Sequence, residues 1–381
     1  MARLRIAYVF PRLEWCGPLK GILATIKHLP PNEFDVHLVT FGPPKHSEIL
    51  DDLRELRCQY HQLHQRRFLD ISLARELARL TQEKSIAILH TTVLRPDWHG
   101  ALAKRYNPSL ILISTLRAED DKLVRMNRGL ARFVLSHALN LFFFRYFDHV
   151  VALSYSTHAY ARRLRVSPSR ISLIRNAVDY DEFLALDRKA CRQKLAARLS
   201  LPAHARLIGM LATFWPYKDH IGFLRVAAAA RSRPDLFFLD VGDGPQLSTF
   251  RRRAKRKGLG NLLYPGFISD VGTVHGALDV HLFLSHTEGL PRAVMESMAA
   301  GTPVVAWNSP GVGETIVDGE TGFLLRPGDV AGAMDAIDRL LADEGLRNKI
   351  TTSARQAVRD QYSPERLGSE HAELYSRLIR G

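Results

Sequence analysis

Two carboxylates in the second half of the chain stand at a spacing that suits a hydroxyl-rich ligand. Glu288 and Glu296 are eight residues apart in Ser285–Pro303, SHTEGLPRAVMESMAAGTP, where Pro291 and Gly301 frame a predicted helix. A carboxylate at Glu296 can accept hydrogen bonds from two neighbouring hydroxyl groups, the arrangement that sugars and riboses present. The alternative is that Glu288 caps the helix and Glu296 is solvated.

A lysine stands at the start of another predicted helix. Lys218 lies in TFWPYKDH, after a predicted strand and before a helix that begins near Asp219. Because a cation at a helix N-terminus opposes the helix dipole, local stability does not explain this lysine. We expect its ammonium group to meet a bound anion, such as a diphosphate held by the free amides of the helix after Pro291. The alternative is a solvated side chain.

Two glycine-rich loops accompany these residues. Gly242 and Gly244 in VGDGP allow a tight turn and a close approach of ligand to backbone, although a plain turn would use the same residues. Leu247 stands where a dinucleotide fingerprint would need its third glycine, which argues against a dehydrogenase. The segment SPGVGET, 309–315, is predicted to open a further helix with Glu314 in its first turn.

Strands and helices that alternate along the chain must position these loops. We predict strands near 3–10, 34–41, 85–93, 109–117, 147–154, 170–178, 206–214, 236–244, 261–268, 278–286, 303–308 and 322–328. Helical patterns include 69–84, 218–231, 329–344 and 364–379. Nearly continuous apolar strands are typical of parallel sheets covered on both faces, so we expect an α/β protein with two doubly wound, Rossmann-like domains. The predicted domains are 1–178 and 179–362, with the terminal helix in 363–381 crossing back to the first.

Composition restricts the class of protein. The 381 residues carry a net charge of +14, of which residues 1–180 hold most, so an anionic ligand or surface is expected. The three cysteines are scattered, which argues against a disulfide framework or a zinc site and favours the cytoplasm. No apolar run approaches the roughly 18 residues that a membrane-spanning helix needs.

Several motifs together resemble a known family. The segment Thr287-Glu288-Gly289-Leu290-Pro291 through Glu296 resembles the E-x7-E motif of the group 1, family four glycosyltransferases, which retain anomeric configuration, use nucleotide sugars and have the GT-B fold. Four further segments resemble other motifs of this family, in the same order along the chain and over nearly its whole length. They are 153–183, 216–220 (PYKDH), 239–245 (LDVGDGP) and 299–329. The resemblance implies two domains that face each other across a cleft, the first for the acceptor and the second for the donor.

The resemblance also implies roles for matching residues. Glu296 would hold the ribose hydroxyls of the nucleotide, and Glu288 the hydroxyls of the transferred sugar. Lys218 would neutralise the departing diphosphate. The remaining donor-binding residues would contribute backbone near the sugar and phosphates: Gly289, Leu290, Gly242 and, from the first domain, Gly17.

Three positions depart from the family pattern. Thr213 stands where many members of the family have an arginine. The family commonly has a pair of glycines in its first loop, and this chain has only Gly17 there. Thr92 replaces the second histidine of a His-x-His sequence, so a catalytic histidine is in doubt. The acceptor-side candidates are then His90, Asp97 and Arg117.

The activity implied is transfer of a hexose from a UDP- or GDP-linked sugar to a hydroxyl of a glycan or lipid-linked acceptor, in synthesis of bacterial surface glycans such as lipopolysaccharide or capsule. No cofactor or metal is expected, because Lys218 and a helix N-terminus can stabilise the leaving diphosphate. The alternatives are a sugar-nucleotide epimerase of the same fold, a degenerate GT-B partner or binding protein, and a charge-driven nucleic-acid binder.

Two basic segments bear on partners. RRRAKRK, 251–257, is predicted to be a solvated helix face, and without interleaved aromatic residues no nucleic acid is expected there. Residues 122–147 mix arginines with Leu135 and Phe142–Phe144. They predict either a basic amphipathic helix on an acidic membrane or a helix packed on the first sheet. We expect a cytoplasmic protein. Peripheral contact with the inner face of the cell membrane is left open.

Overall fold

The chain folds into two compact units. The computed structural model describes residues 3–67, 69–119, 126 and 129–380. Unit 1 comprises Met1–Ala177 and Pro364–Gly381, and unit 2 comprises Val178–Ser363. Each unit is one parallel sheet covered by helices, so the predicted α/β class with two Rossmann-like domains is confirmed.

Unit 1 contains a seven-stranded sheet. Its strands are β1 (Leu4–Phe10), β2 (Phe34–Thr40), β3 (Gln59–Gln62), β4 (Ile88–Thr92), β5 (Ile111–Leu116), β6 (His149–Ala152) and β7 (Ile171–Leu173). They are parallel in the order β3-β2-β1-β4-β5-β6-β7. The helices between them are α1 (Gly17–His28), α2 (Ile49–Glu55), α3 (Ile71–Glu83), α4 (Leu94–Tyr106), α5 (Leu130–Phe143) and α6 (Tyr155–Arg163).

Unit 2 repeats this plan with six strands. They are β8 (Arg206–Leu211), β9 (Leu236–Val241), β10 (Leu262–Gly266), β11 (Val280–Phe283), β12 (Val304–Trp307) and β13 (Phe323–Leu325), parallel in the order β10-β9-β8-β11-β12-β13. Its helices are α7 (Tyr180–Leu184), α8 (Arg188–Leu199), α9 (His220–Ala229), α10 (Leu247–Arg256), α11 (Val271–Ala277), α12 (Arg292–Ala299), α13 (Val330–Ala342) and α14 (Glu344–Gln361).

The last helix, α15 (Pro364–Arg380), belongs to unit 1. Its apolar face enters the core of that unit, where Leu367 and Tyr375 join Ile22 and Ile26 of α1. Gly368 permits this packing, because a Cβ there would lie 2.2 Å from the carbonyl oxygen of His28. Residues from the end of the chain therefore become neighbours of β1 and β4.

The structure corrects several sequence predictions. β3 was not predicted, because its sequence QYHQ is polar and occupies a sheet edge. The predicted strands at 206–214 and 278–286 end earlier, since their last residues turn into loops. The helix predicted after Ser309 is wrong: residues 311–315 form turns, with Gly311 at φ +78°.

The structure describes one of the two basic segments completely and the other only in part. In α10 the basic residues of 251–257 are exposed while Phe250 and Ala254 are buried, as a solvated helix face requires. The segment 122–147 yields α5 in its second part, and residues 122–125, 127 and 128 lie outside the described residues. None of the helices described is both long and apolar enough to span a membrane.

Candidate functional site

Most of the candidate donor residues of unit 2 lie on loops at the carboxyl ends of its central strands, and Glu296 lies on the helix after one of these loops. The loop after β8 carries Lys218, the loop after β11 carries Glu288, and the loop after β9 carries Gly242. Ligands of parallel α/β sheets bind at this edge. The backbone amide of His286 donates to the carbonyl oxygen of Tyr217 at 2.8 Å, which ties the first two loops together.

Lys218 and Glu288 form an ion pair. Nζ of Lys218 lies 2.5 Å from Oε1 of Glu288, and both side chains are largely buried. Burial lowers the pKa of Lys218, but the Glu288 carboxylate and Tyr217 more than offset it, so the pKa is raised overall. Lys218 occupies a short 3-10 turn, Pro216–Lys218, ahead of α9 rather than the first turn of that helix. The sequence placed the two residues on opposing loops, and the structure brings them into contact.

A buried histidine–aspartate pair holds the Lys218 loop. Both oxygens of Asp240 lie 2.9 Å from Nδ1 of His220, and Nε2 of His220 lies 3.0 Å from the carbonyl oxygen of Thr213. Since a carbonyl oxygen can only accept, Nε2 carries a proton and donates to Thr213. Burial raises the pKa of Asp240 against the opposing effect of His220. The pair therefore fixes the loop from Thr213 to Lys218 upon β9.

Gly242 allows two loops to touch. Its φ is +154°, and a Cβ there would lie 1.9 Å from the carbonyl oxygen of Ala212. The backbone amide of Phe214 donates to the carbonyl oxygen of Asp243 at 2.9 Å. A side chain at Gly242 would force the β9 loop away from the loop that carries Lys218.

The loop after β12 supports the Glu288 segment. The backbone amide of Glu288 donates to the carbonyl oxygen of Pro310 at 3.0 Å, and a Cβ on Gly311 would lie 2.6 Å from the carbonyl oxygens of Glu288 and Gly289. Gly289 and Leu290 are buried beneath this contact. Pro291 is the N-cap of α12, so Glu288 is not the helix cap that the alternative required.

Glu296 lies in the second turn of α12 and is only 5% exposed, which excludes a solvated carboxylate. Its Oε1 lies 3.4 Å from a guanidinium nitrogen of Arg292, and its Oε2 lies 3.6 Å from Nε2 of His275 on α11. The carboxylate is thus held between a cation and an imidazole. The contact with His275 was not predicted, because His275 is 21 residues away on another helix, whereas Arg292 stands at the i,i+4 spacing of helical ion pairs, a local signal that the sequence analysis did not use.

The acceptor-side candidates lie in unit 1, where two of the three line one small polar pocket. His90 lies in the middle of β4 and lines this pocket, and its ring nitrogens lie 2.7 Å from the hydroxyl oxygens of Tyr375 and Thr115. Arg117 donates to Asn176 at 2.9 Å and to Thr92 at 3.2 Å. Thr92, which replaces the family histidine, is therefore a partner of Arg117. Burial lowers the pKa of His90 well below its usual value.

Asp97 and Gly17 lie elsewhere in unit 1. Asp97 is fully buried on α4, where it accepts hydrogen bonds from the hydroxyls of Thr91 and Ser114, and it is not among the residues that line the pocket. Burial raises its pKa to about 7. Gly17 is exposed at the start of α1, and a Cβ there would meet no atom within 4 Å. In the part of the chain that the structure describes, no group of three or more potential metal ligands occurs.

Known proteins share this organisation. Residues 192–357 match the family model for glycosyl transferases group 1, and residues 20–182 match the model for glycosyltransferase family 4. Two parallel-sheet domains with these matches define a glycosyltransferase of the GT-B fold. The chain belongs to the group 1, family 4 glycosyltransferases.

Individual relatives agree with that assignment. The chain is 25% identical over 364 residues to N-acetyl-alpha-D-glucosaminyl L-malate synthase of Bacillus anthracis, covering 93% of this chain and 92% of that protein. It is 28% identical over 205 residues to the lipopolysaccharide core biosynthesis glycosyltransferase LpsE of Rhizobium meliloti, 54% of this chain and 57% of LpsE.

Solved structures share the fold. Anabaena HepE in complex with UDP-glucose has a TM-score of 0.84 at 18% identity, over 98% of this chain and 100% of HepE. Sucrose-phosphate synthase from Thermosynechococcus elongatus has a TM-score of 0.81 at 20% identity, over 99% and 100% of the two chains.

Proposed function

We propose that this glycosyltransferase moves a hexose from a nucleoside-diphosphate sugar to a hydroxyl group of a glycan or lipid-linked acceptor, with retention of anomeric configuration. Unit 2 holds the donor and unit 1 the acceptor. The observation that carries the proposal is the Lys218–Glu288 ion pair at the carboxyl ends of β8 and β11. It combines a cation suited to a diphosphate with a carboxylate suited to sugar hydroxyls, at the sheet edge where ligands bind.

In the proposed reaction the bond between the anomeric carbon and the diphosphate oxygen breaks, and the acceptor oxygen bonds to that carbon on the same face. The electron pair stays on the diphosphate, and a diphosphate oxygen takes the proton of the acceptor hydroxyl. The Lys218 ammonium group and the amides of Gly289 and Leu290 stabilise the growing negative charge. Each such donor contributes on the order of 3 kcal/mol to lowering the barrier in a water-poor site. No step in this scheme requires a metal ion.

The remaining donor contacts follow from burial and backbone geometry. Glu296 accepts from the two ribose hydroxyls, because a carboxylate has two oxygens that can each accept a hydrogen bond from one of two adjacent hydroxyl groups. Gly242 brings backbone close to the phosphates, and the donor-binding role of Gly17, which is exposed at the start of α1, stays a prediction. His90 and Arg117 remain the acceptor-side candidates of unit 1, and both line its small polar pocket.

Calorimetric titration with UDP, GDP and NAD tests the donor site. UDP is the first nucleotide to try, because a structure of HepE, which has the same fold, is a complex with UDP-glucose. Glu296→Ala should weaken binding of the preferred nucleotide about tenfold or more, as loss of a charged hydrogen-bond partner does. The matched control is Glu320→Ala, an exposed glutamate of the same unit.

The titration, together with an assay of labelled donor with and without acceptor, separates the competing functions. Failure of both UDP and GDP to bind the folded protein would overturn the donor site. Tight binding without transfer to any acceptor would favour a degenerate partner protein. Turnover of labelled donor without any acceptor would favour an epimerase.

Surface glycan synthesis at the inner face of a bacterial membrane is the proposed setting, and LpsE, a relative named for lipopolysaccharide core biosynthesis, supports it. α5 supplies a surface for an anionic membrane. Four of its large apolar side chains are exposed: Leu130, Val134, Leu135 and Phe142. Arg132 of α5 and Arg145 of the turn that follows it are exposed as well, and residues 129–147 contain no acidic residue. An apolar stripe with flanking cations is typical of helices that lie in an anionic interface.

Sedimentation with lipid vesicles tests this contact. The protein should bind vesicles that contain phosphatidylglycerol and not vesicles of phosphatidylcholine alone. Leu135→Asp should abolish this binding, whereas Leu184→Asp, which changes an exposed leucine of α7, should not. Equal binding of both variants would contradict a role for α5.

A further inference from the structure

Two fully buried histidines lie beside the carboxylate of Glu296. His275 on α11 and His281 on β11 are both 0% exposed. Within the described parts of the chain, none of their four ring nitrogens has a hydrogen-bond partner. A buried polar group without a partner costs about 1–3 kcal/mol, and such groups are rare in native structures. Apolar side chains would serve packing better, so packing alone does not explain these histidines.

Aromatic contacts fix the ring of His275. The rings of His275 and His281 pack edge to face, with centroids 5.2 Å apart, and Phe183 approaches His275 with its centroid at 6.2 Å. Nε2 of His275 is thereby held 3.6 Å from Oε2 of Glu296. This distance exceeds that of a good hydrogen bond but leaves the imidazole and the carboxylate in direct electrostatic contact in a buried, low-dielectric site.

The two oxygens of Glu296 therefore face different partners. Arg292 lies on the Oε1 side at 3.4 Å, and His275 lies on the Oε2 side. A carboxylate held from both sides keeps one orientation of its plane, which recognition of two adjacent hydroxyl groups requires. Among the described residues His281 makes neither a hydrogen bond nor an ion pair, and its ring packs against His275 and Phe283.

We propose that His275 is a positioning residue that orients the carboxylate of Glu296 toward the ribose hydroxyls of the donor nucleotide. This inference rests on the proposed function, in which Glu296 binds the ribose. His275 does not touch the ligand. It acts by holding Oε2, so its removal weakens only the part of the affinity that depends on the ribose hydroxyls.

Calorimetry with two ligands isolates that part. UDP presents both ribose hydroxyls, and 2′,3′-dideoxy-UDP presents neither. His275→Phe should lower the affinity for UDP about tenfold, the size expected for losing a partner of a charged group, and leave the affinity for dideoxy-UDP unchanged. His275→Gln, which keeps an N–H group near Oε2, should recover part of the loss.

The neighbouring histidine provides the matched control. His281→Phe makes the same chemical change at the same burial and should leave both affinities unchanged. If His275→Phe weakens the binding of UDP and of dideoxy-UDP equally, the proposal is overturned and the residue is structural. If His275→Phe changes neither affinity, the proposal is overturned as well. If His275→Phe does not fold, His275→Met, which also lacks an N–H group, takes its place, and an unchanged preference for UDP over its dideoxy analogue in that variant would overturn the proposal.

Glu296→Gln tells this failure apart from failure of the donor site. If Glu296→Gln loses the preference for UDP over dideoxy-UDP while His275→Phe retains it, the ribose assignment stands and the role of His275 falls. If Glu296→Gln retains the preference as well, the ribose assignment itself is wrong, and the proposal for His275 fails with it.

Discussion

Nζ of Lys218 lies 2.5 Å from Oε1 of Glu288, and this ion pair joins the loop after β8 to the loop after β11. The two side chains are only 13% and 14% exposed, so each charge depends on the other for compensation. Lys218 also lies over the rings of Tyr217 and Phe283, at 5.1 and 5.3 Å from their centroids. The ammonium group is therefore held by a carboxylate and two aromatic faces rather than by water.

Because the charges of Lys218 and Glu288 compensate each other, the effects of substituting the two residues on stability should be strongly non-additive. Lys218→Met or Glu288→Gln alone should lower the free energy of unfolding by about 3 kcal/mol, because each leaves a largely buried charge without its partner. The double variant should be destabilised by much less than the sum. Denaturant unfolding of all four proteins gives the coupling energy, and additive single effects would contradict a buried pair.

A second prediction concerns what Lys218 binds. If its ammonium group meets the diphosphate, Lys218→Met should weaken UDP about tenfold or more and leave uridine, which has no phosphate, unchanged. Calorimetric titration with both ligands measures the difference. Lys194→Met is the control, because that lysine is 67% exposed and pairs with Asp270 of the same unit. A similar loss for uridine would mean that the variant damages the loop rather than the phosphate contact.

The order of elements was predictable because apolar strands and amphipathic helices alternate along the sequence. β3 escaped prediction because Gln59–Gln62 lies at a sheet edge and needs no apolar run. The positions of Lys218, Glu288 and Glu296 relative to their strands were also evident, since strand-to-helix loops gather at one sheet edge.

The buried partners of these residues were not predictable. His220 and Asp240 are 20 residues apart on α9 and β9, and nothing local in the sequence shows that their side chains meet. His275 and Glu296 are likewise brought together by the packing of α11 against α12. The wrong prediction of a helix after Ser309 has a similar cause. Gly311 is required by its close contact with Glu288 and Gly289 on the neighbouring loop, and local patterns do not encode that contact.

Loop contact at Gly242 gives a third prediction. Gly242→Ala places a Cβ 1.9 Å from the carbonyl oxygen of Ala212, at a backbone conformation that side chains rarely adopt, so the two loops must separate. We expect a loss of about 2–4 kcal/mol in the free energy of unfolding and weaker UDP binding. Gly260→Ala is the matched control, since its Cβ would meet no atom within 4 Å. Thermal unfolding of the two variants should differ clearly, and equal stability would show that the loops yield without strain.

The last prediction concerns how the buried Asp97 makes the stability of the protein depend on pH. Burial raises the pKa of Asp97 to about 7, although hydrogen bonds from Thr91 and Ser114 oppose the shift. In the unfolded chain an aspartate ionises near pH 4. Between about pH 4 and 7 the folded state therefore holds a proton that the unfolded state has released, so this group's contribution to stability falls as pH rises through that range and levels off above it.

Asp97→Asn removes the titrating group and should remove that slope. The free energy of unfolding of the variant minus that of the natural protein should increase between pH 5 and 7 and stay constant from pH 7 to 8.5, as measured by urea unfolding at each pH. Asp335→Asn, at a side chain that is 71% exposed, should give a difference that does not change with pH. Parallel curves for Asp97→Asn and the natural protein would show that Asp97 is already ionised in the folded state, and that the hydrogen bonds from Thr91 and Ser114 outweigh its burial.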